Sequence, residues 1–244
     1  MRIPRIFIDQ PLESGADVAL PAATSHYLSR VLRLEKNAAL VLFNGQGGEY
    51  KAQLTTSVKR NSVVTIGAHI DRDCQSPLKI QLGVGMSRGE RMDLIIQKAT
   101  ELGVDSIIPL FTERCEIKLS GERTAKRLSH WRKISISACE QSGRTLLPEI
   151  YPPETAAAWL ARTEADIKLV LEPTAPQGLP TGSLPVSAAL FSGPEGGLTE
   201  SEVSFAKHYG FRSVSLGPRI LRTETAPVAV LSILQYLWGD MQLC

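Results

Sequence analysis

Three short loops near the C-terminal end gather most of the residues able to do chemistry. The first reads Glu172-Pro173-Thr174-Ala175-Pro176 and the second Ser192-Gly193-Pro194-Glu195-Gly196-Gly197. The third is Leu216-Gly217-Pro218-Arg219-Ile220-Leu221-Arg222-Thr223-Glu224-Thr225. Glycines in the second loop let main chain approach a flat ligand closely, since no Cβ intervenes. A tight strand-to-helix turn with no ligand would use the same residues. The loops contain neither G-x-x-x-x-G-K-[ST] nor a G-x-G-x-x-G after a strand, so nucleotide hydrolysis is disfavoured. The third loop crowds two arginines, a glutamate and two threonines between apolar segments, where charges need partners. An Arg219–Glu224 or Arg222–Glu224 ion pair that merely ties the loop down would supply them, and so would a reacting substrate. No His or Cys occurs in these loops, which argues against covalent catalysis through cysteine.

Each loop follows a short apolar run that reads as a strand, at 167–171, 188–192 and 213–216. In open α/β sheets ligands bind beyond the carboxyl ends of strands, so the three loops belong on one edge. Upstream the pattern alternates: a strand at 79–84, a helix at 90–102 with Gly103 as its C′ residue, and a strand at 104–110. A long helix at 124–142 then carries Lys126, Arg127, Arg132 and Lys133, with Arg144 just past its end. Such alternation implies a parallel sheet covered by helices. Thr199 and Glu202 form a capping box after the second loop. The last helix is apolar around much of its circumference (Val228, Val230, Leu231, Ile233, Leu234, Leu237, Trp238), so it needs burial on more than one side. A fully covered core helix or a subunit interface would each satisfy it.

The first 70 residues read instead as short strands at 3–8, 39–43, 50–55 and 63–70, with a hairpin turn at Asn44-Gly45-Gln46-Gly47-Gly48. One helix interrupts them, capped by Ser25, with Tyr27, Leu28, Val31, Leu32 and Leu34 as its apolar stripe. The expected arrangement is a small β-barrel with a helix over 1–72, a polar linker at 73–77, and an α/β domain over 78–244.

With 43% hydrophobic residues in 244, the chain has enough apolar content for proper cores. No apolar run reaches the roughly 20 residues a bilayer span requires. Met1-Arg2-Ile3-Pro4-Arg5 lacks the apolar core of a secretory signal, which points to the cytoplasm. Cys74, Cys115, Cys139 and Cys244 are scattered without metal-ligand spacing, so free thiols and no metal are expected. Net charge is +2, but unevenly spread: nine Lys/Arg against six Asp/Glu in 1–72, twelve against ten in 73–150, and six against nine in 151–244. A basic front suits a polyanion partner, although solvated charged faces look the same.

Taken together, the runs Gly193-Pro194-Glu195-Gly196-Gly197-Leu198 and 216–225 resemble the two C-terminal motifs of the 16S ribosomal RNA uridine-N3 methyltransferases of the SPOUT superfamily. Similar stretches lie upstream in Pro4-Arg5-Ile6-Phe7, in 26–33, in 97–104, in Glu113-Arg114-Cys115 and in Ala138-Cys139-Glu140-Gln141-Ser142-Gly143-Arg144. The resemblance covers nearly the whole chain. Pro227 departs from the small or aliphatic residue of the family pattern, at a helix start that tolerates proline.

The resemblance implies an N-terminal PUA-like β-barrel and a C-terminal SPOUT α/β domain threaded as a trefoil knot. It further implies a homodimer with the cofactor site near the subunit interface. The activity implied is methylation, by S-adenosyl-L-methionine, of N3 of a specific uridine in the decoding region of 16S rRNA in the small ribosomal subunit. Cofactor contacts are expected from Leu171, Glu172 and Pro173, from Gly193, Glu195, Gly196 and Gly197, and from Leu216, Gly217, Pro218, Ile220 and Leu221. Arg222, with Arg219, is expected to stabilise a uracil anion, and Glu224 to accept the proton or orient the arginine. RNA is expected to be held by Arg2, Arg5, His26, Arg30 and Arg33 on the barrel and by Arg88 and Arg91 after the first strand of the second domain. Two rivals remain: a noncatalytic RNA-binding assembly factor, and a ribose 2′-O-methyltransferase.

Overall fold

A computed structural model describes residues 3–72, 74–117, 120–179, 182 and 184–242. The chain divides into two compact units, one running through Cys74 and taking in Cys139–Leu147, the other comprising Gln75–Ala138 and Pro148 onward. Among the described residues no helix is long and apolar enough to cross a membrane.

In the first unit, β1 (Arg5–Phe7), β2 (Asp17–Ala19), β3 (Ala39–Phe43), β4 (Glu49–Thr56) and β5 (Val63–Ile70) form one sheet in the order β1-β3-β4-β5-β2. Only β1 and β3 run parallel. The hydrogen-bonded order is open, so the sheet is a half-barrel. Its core is an aliphatic cluster that includes Ile6, Leu42, Leu54 and Val64. Asn44 accepts from the Gln46 N–H, and Gly45, Gly47 and Gly48 all take positive φ, so the hairpin turn forms as expected.

The helix differs in register from the sequence reading. It begins at α1 (Ala22–His26) and widens into a π-helical turn, Tyr27–Val31. Ser25 is therefore no cap: it is fully buried inside the helix, donating to the Leu20 carbonyl and accepting from the Ser62 N–H. Of the proposed stripe, Leu28 is buried while Tyr27 and Val31 are exposed. A change of helical pitch at this point breaks the 3.6-residue pattern on which the stripe was counted. The segment Cys139–Leu147 also joins this unit. The Phe7 N–H donates to Glu140, and Arg5 donates to the carbonyls of Gly143 and Arg144.

In the second unit seven strands share one sheet: β6 (Lys79–Gly85), β7 (Ser106–Phe111), β8 (Glu149–Ile150), β9 (Glu154–Thr155), β10 (Ile167–Leu171), β11 (Ser187–Ser192) and β12 (Arg212–Val214). The order is β12-β10-β11-β6-β7-β8, with β9 also on β7, and every pairing is parallel. Central β6 and β11 are almost wholly buried, as strands covered on both faces must be. The covering helices are α2 (Glu90–Glu101), α3 (Glu122–Ser142), α4 (Ala156–Arg162), α5 (Glu200–His208) and α6 (Thr225–Trp238). α2 buries Met92, Ile95, Ile96 and Ala99 at helical spacing and ends at Gly103, whose φ of 80° fits the left-handed C′ position. The α5 capping box is present: Thr199 accepts from the Glu202 N–H, and Glu202 accepts from the Thr199 N–H.

Candidate functional site

Because the second sheet is parallel, β10, β11 and β12 end on the same edge, and the loops that follow them meet there. All three line one cavity of about 520 Å³. Leu171, Glu172 and Pro173 come from the first loop, Gly193, Glu195 and Gly197 from the second, and Leu216, Ile220, Leu221, Arg222 and Glu224 from the third. Gly196, Gly217 and Pro218 stand in the same loops beside these residues rather than on the wall. Arg219 lines it as well.

The second loop is shaped by close backbone approach. Gly197 takes φ 69° and donates its N–H to the Pro194 carbonyl, closing a tight turn. A Cβ on Gly193 would stand 3.0 Å from main-chain atoms of Gly197 and Leu198, and one on Gly85 would stand 2.5 Å from Pro194. The turn is held from outside by Arg114, which donates to the carbonyls of Gly196 (2.9 Å) and Leu198 (3.5 Å). Glu113 joins the start of α5: its N–H donates to Glu202 and its carboxylate accepts from Ser201. The Glu113-Arg114-Cys115 run thus supports the second loop from a distance of more than 80 residues.

The third loop is tied to the second by Thr223, whose hydroxyl donates to the Gly193 carbonyl at 2.8 Å and lies 3.4 Å from Ser87. Among the described residues neither candidate ion pair forms. Arg219 and Arg222 are exposed and there make no ion pair, whereas Glu224 faces Arg91 at 3.9 Å. The Glu224 side chain is 14% exposed, and its Oε2 has no hydrogen-bond partner. Arg91 also donates to Glu195 at 2.9 Å, and the Arg88 N–H donates to the same carboxylate oxygen at 2.8 Å. Partial burial works against ionisation of Glu195, but the Arg88 N–H and the Arg91 guanidinium hold its carboxyl below the usual range. Glu172 is lowered too, first by the neighbouring Ser213 hydroxyl against partial burial, then by Lys207 at 3.3 Å. Both carboxylates therefore stay charged at neutral pH.

The residues expected to grip RNA fare unevenly. Arg2 lies outside the described residues. Arg5 is not a surface cation: its side chain is 7% exposed, ion-paired with the equally buried Glu49, and packed over the Phe43 ring. Its charge is consumed within the fold, so it is a structural residue. His26, at the end of α1, and Arg30 and Arg33, on and just after the π-helical turn, are exposed, and Arg33 takes a positive φ of 52°. Arg88 is exposed and paired with Glu116. Arg91 belongs to the cavity. Cys74, Cys115 and Cys139 are free thiols, and Cys244 lies outside the described residues.

Residues 74–235 match the family model described as an RNA methyltransferase domain, and residues 20–66 match that of an RNA methyltransferase PUA domain. The ribosomal RNA small subunit methyltransferase E of Buchnera aphidicola (subspecies Schizaphis graminum) is 37% identical over 98% of both chains. Its counterpart from Bacillus subtilis is 31% identical over 95% of this chain and 96% of that one. Among solved structures, a Legionella pneumophila methyltransferase in complex with its bound cofactor SAM superposes with TM-score 0.93, at 37% identity over 99% of this chain and all of that one. The Neisseria gonorrhoeae ribosomal RNA small subunit methyltransferase E bound to S-adenosyl methionine superposes with TM-score 0.91, at 39% identity over 98% of this chain and all of that one. The chain belongs to the ribosomal RNA small subunit methyltransferase E family of RNA methyltransferases, which couple a PUA domain to a methyltransferase domain.

Proposed function

We propose that this protein transfers a methyl group from S-adenosyl-L-methionine to N3 of a uridine in the decoding region of 16S rRNA. One observation carries the proposal: three strand-end loops converge on a single cavity whose rim holds Arg219 and Arg222, neither in an ion pair among the described residues, and Glu224, whose buried Oε2 faces Arg91 without a hydrogen bond. The residues fit the cofactor. The apolar walls from Leu171, Leu198, Leu216 and Leu221 suit a flat adenine, and Gly193, packed against the main chain of Gly197 and Leu198, keeps the turn beside them tight. Glu172, charged and on the same wall, is placed to accept from ribose hydroxyls.

When bound, S-adenosyl-L-methionine supplies an electrophilic methyl group on a sulfonium centre. The chain must then position uracil and manage its charge. Holding nucleophile and electrophile in near-attack geometry supplies roughly 7–11 kcal/mol. Glu224 accepts the N3 proton, and Arg91, 3.9 Å from its Oε2, keeps that carboxylate oriented. Arg222, assisted by Arg219, stabilises the uracil anion; arginine itself is too basic to take the proton. Because N3 lies on the pairing edge, the uridine is bound unpaired or turned out of its stack.

The same reading includes a C-terminal segment threaded as a trefoil knot, a cytoplasmic location and a homodimer. Support for the dimer comes from α6, which buries Val230, Leu231 and Leu234 yet leaves Ile233 and Tyr236 exposed on its other side. The test is nucleoside mass spectrometry of 16S rRNA from cells lacking this gene. The wild-type gene restores 3-methyluridine, and an Arg222→Ala gene does not. A missing 2′-O-methyl nucleoside, or no missing nucleoside, overturns the proposal.

A further inference from the structure

Helix α3 presents a basic face that the site described above does not use. Arg123, Lys126, Arg127, His130 and Lys133 are all exposed. At 100° per residue they fall within an arc of about 120°, beside the buried stripe of Trp131, Ser135 and Ala138. Glu122 is the only acidic residue in 122–138, and it reaches Lys126 at 3.8 Å through two highly exposed side chains, a contact worth little. Along one edge of this face runs a shallow recess lined by Ala125 and Ser129 together with Lys126, His130 and Lys133. His130 is fixed at its edge by a 2.8 Å hydrogen bond to Asp93 of α2.

Like charges three and four residues apart, as in Arg123–Lys126 and Arg123–Arg127, destabilise an isolated helix. An anionic partner offsets that cost. The face extends about 15 Å along the helix axis at 1.5 Å per residue, enough to follow several successive phosphates of one strand. Aromatic side chains that would stack bases are absent from it, so the chemistry it offers is charge without base readout.

We infer that this face of α3 is a second RNA-binding surface, gripping the phosphate backbone of the ribosomal substrate at a distance from the reacting base. The inference rests on the RNA-methyltransferase reading. It predicts that Lys126→Ala/Arg127→Ala/Lys133→Ala weakens binding to unmethylated small ribosomal subunits without changing affinity for S-adenosylmethionine. Each lost contact to single-stranded phosphate removes about 0.7 from the slope of log K against log salt, so three remove about 2 and lower affinity about 100-fold at 0.1 M salt. A triple variant with wild-type RNA affinity and salt slope overturns the inference while leaving the methyltransferase reading intact. A wild-type protein that neither binds nor methylates the subunit overturns both. Lysine acetylation of the wild-type protein gives an independent reading: Lys126 and Lys133 are protected by the bound subunit, and unchanged labelling of both refutes the surface.

Discussion

Gly85 ends the central strand β6 directly beneath the second loop, so Gly85→Ala probes how tightly that loop must be placed. The added Cβ would stand 2.5 Å from Pro194 Cδ, 2.6 Å from Pro194 N and 3.0 Å from the Gly193 carbonyl carbon. Two of these are backbone atoms and the third is the ring of a proline, so no side chain can swing aside. Restoring an ordinary contact of about 3.4 Å requires the loop to move by roughly 0.9 Å. Overpacking of this kind costs about 1–3 kcal/mol, which lowers the unfolding midpoint by a few degrees in a protein of this size. The larger effect falls on the site, where the displaced main chain belongs to the loop proposed to hold the cofactor. Calorimetric titration with S-adenosylmethionine is expected to show affinity reduced by about 10- to 100-fold, from a displacement close to the 1 Å that costs about 100-fold in positioned chemistry. An affinity within about twofold of wild type would refute the reasoning, because it would mean that loop placement does not govern binding.

Three further outcomes follow from named contacts. Thr223→Val removes the 2.8 Å donor to the Gly193 carbonyl, leaving an unmet acceptor that costs about 1–3 kcal/mol; cofactor affinity falls, and Thr223→Ser restores it, both read by calorimetry. Arg5→Met leaves Glu49 buried with only Arg72, 3.8 Å away; denaturant unfolding shows a loss of about 3–5 kcal/mol, largely recovered by adding Glu49→Leu. Glu195 has a folded pKa below its unfolded value, so its tie to Arg88 and Arg91 is complete above the ordinary carboxylate range and is lost as pH falls through the lower folded value. Cofactor affinity measured from neutral pH downward is therefore flat to the ordinary carboxylate range and declines only below it, and Glu195→Gln is weakened across the whole range.

Features set by local spacing were legible in the sequence. The Thr199–Glu202 capping box, Gly103 as a helix terminator, the turn at 44–48 and the three strand-end loops all depend on residues within a few positions of one another. What escaped was non-local. Arg5 reads as a surface cation until Glu49, 44 residues on, is seen to bury with it. Arg91 reads as an RNA contact, yet its partners Glu195 and Glu224 lie more than 100 residues away. Thr223 and Arg114 do their work on a loop that no local pattern connects to them. Ser25 was misplaced for a different reason: a π-helical turn shifts the periodicity from which a cap is inferred. The short strands β2, β8 and β9 carry too few residues for alternation to show.

The most direct test of the account is a crystal structure of the protein grown with S-adenosylmethionine. Density for the adenosyl group against Leu171 to Pro173, the turn at Gly193 to Gly197 and the chain from Leu216 to Leu221, with the methyl-bearing sulfur turned toward Arg222 and Glu224, is the predicted result. A donor bound outside that cavity, or one whose sulfur faces away from Arg222 and Glu224, would contradict it.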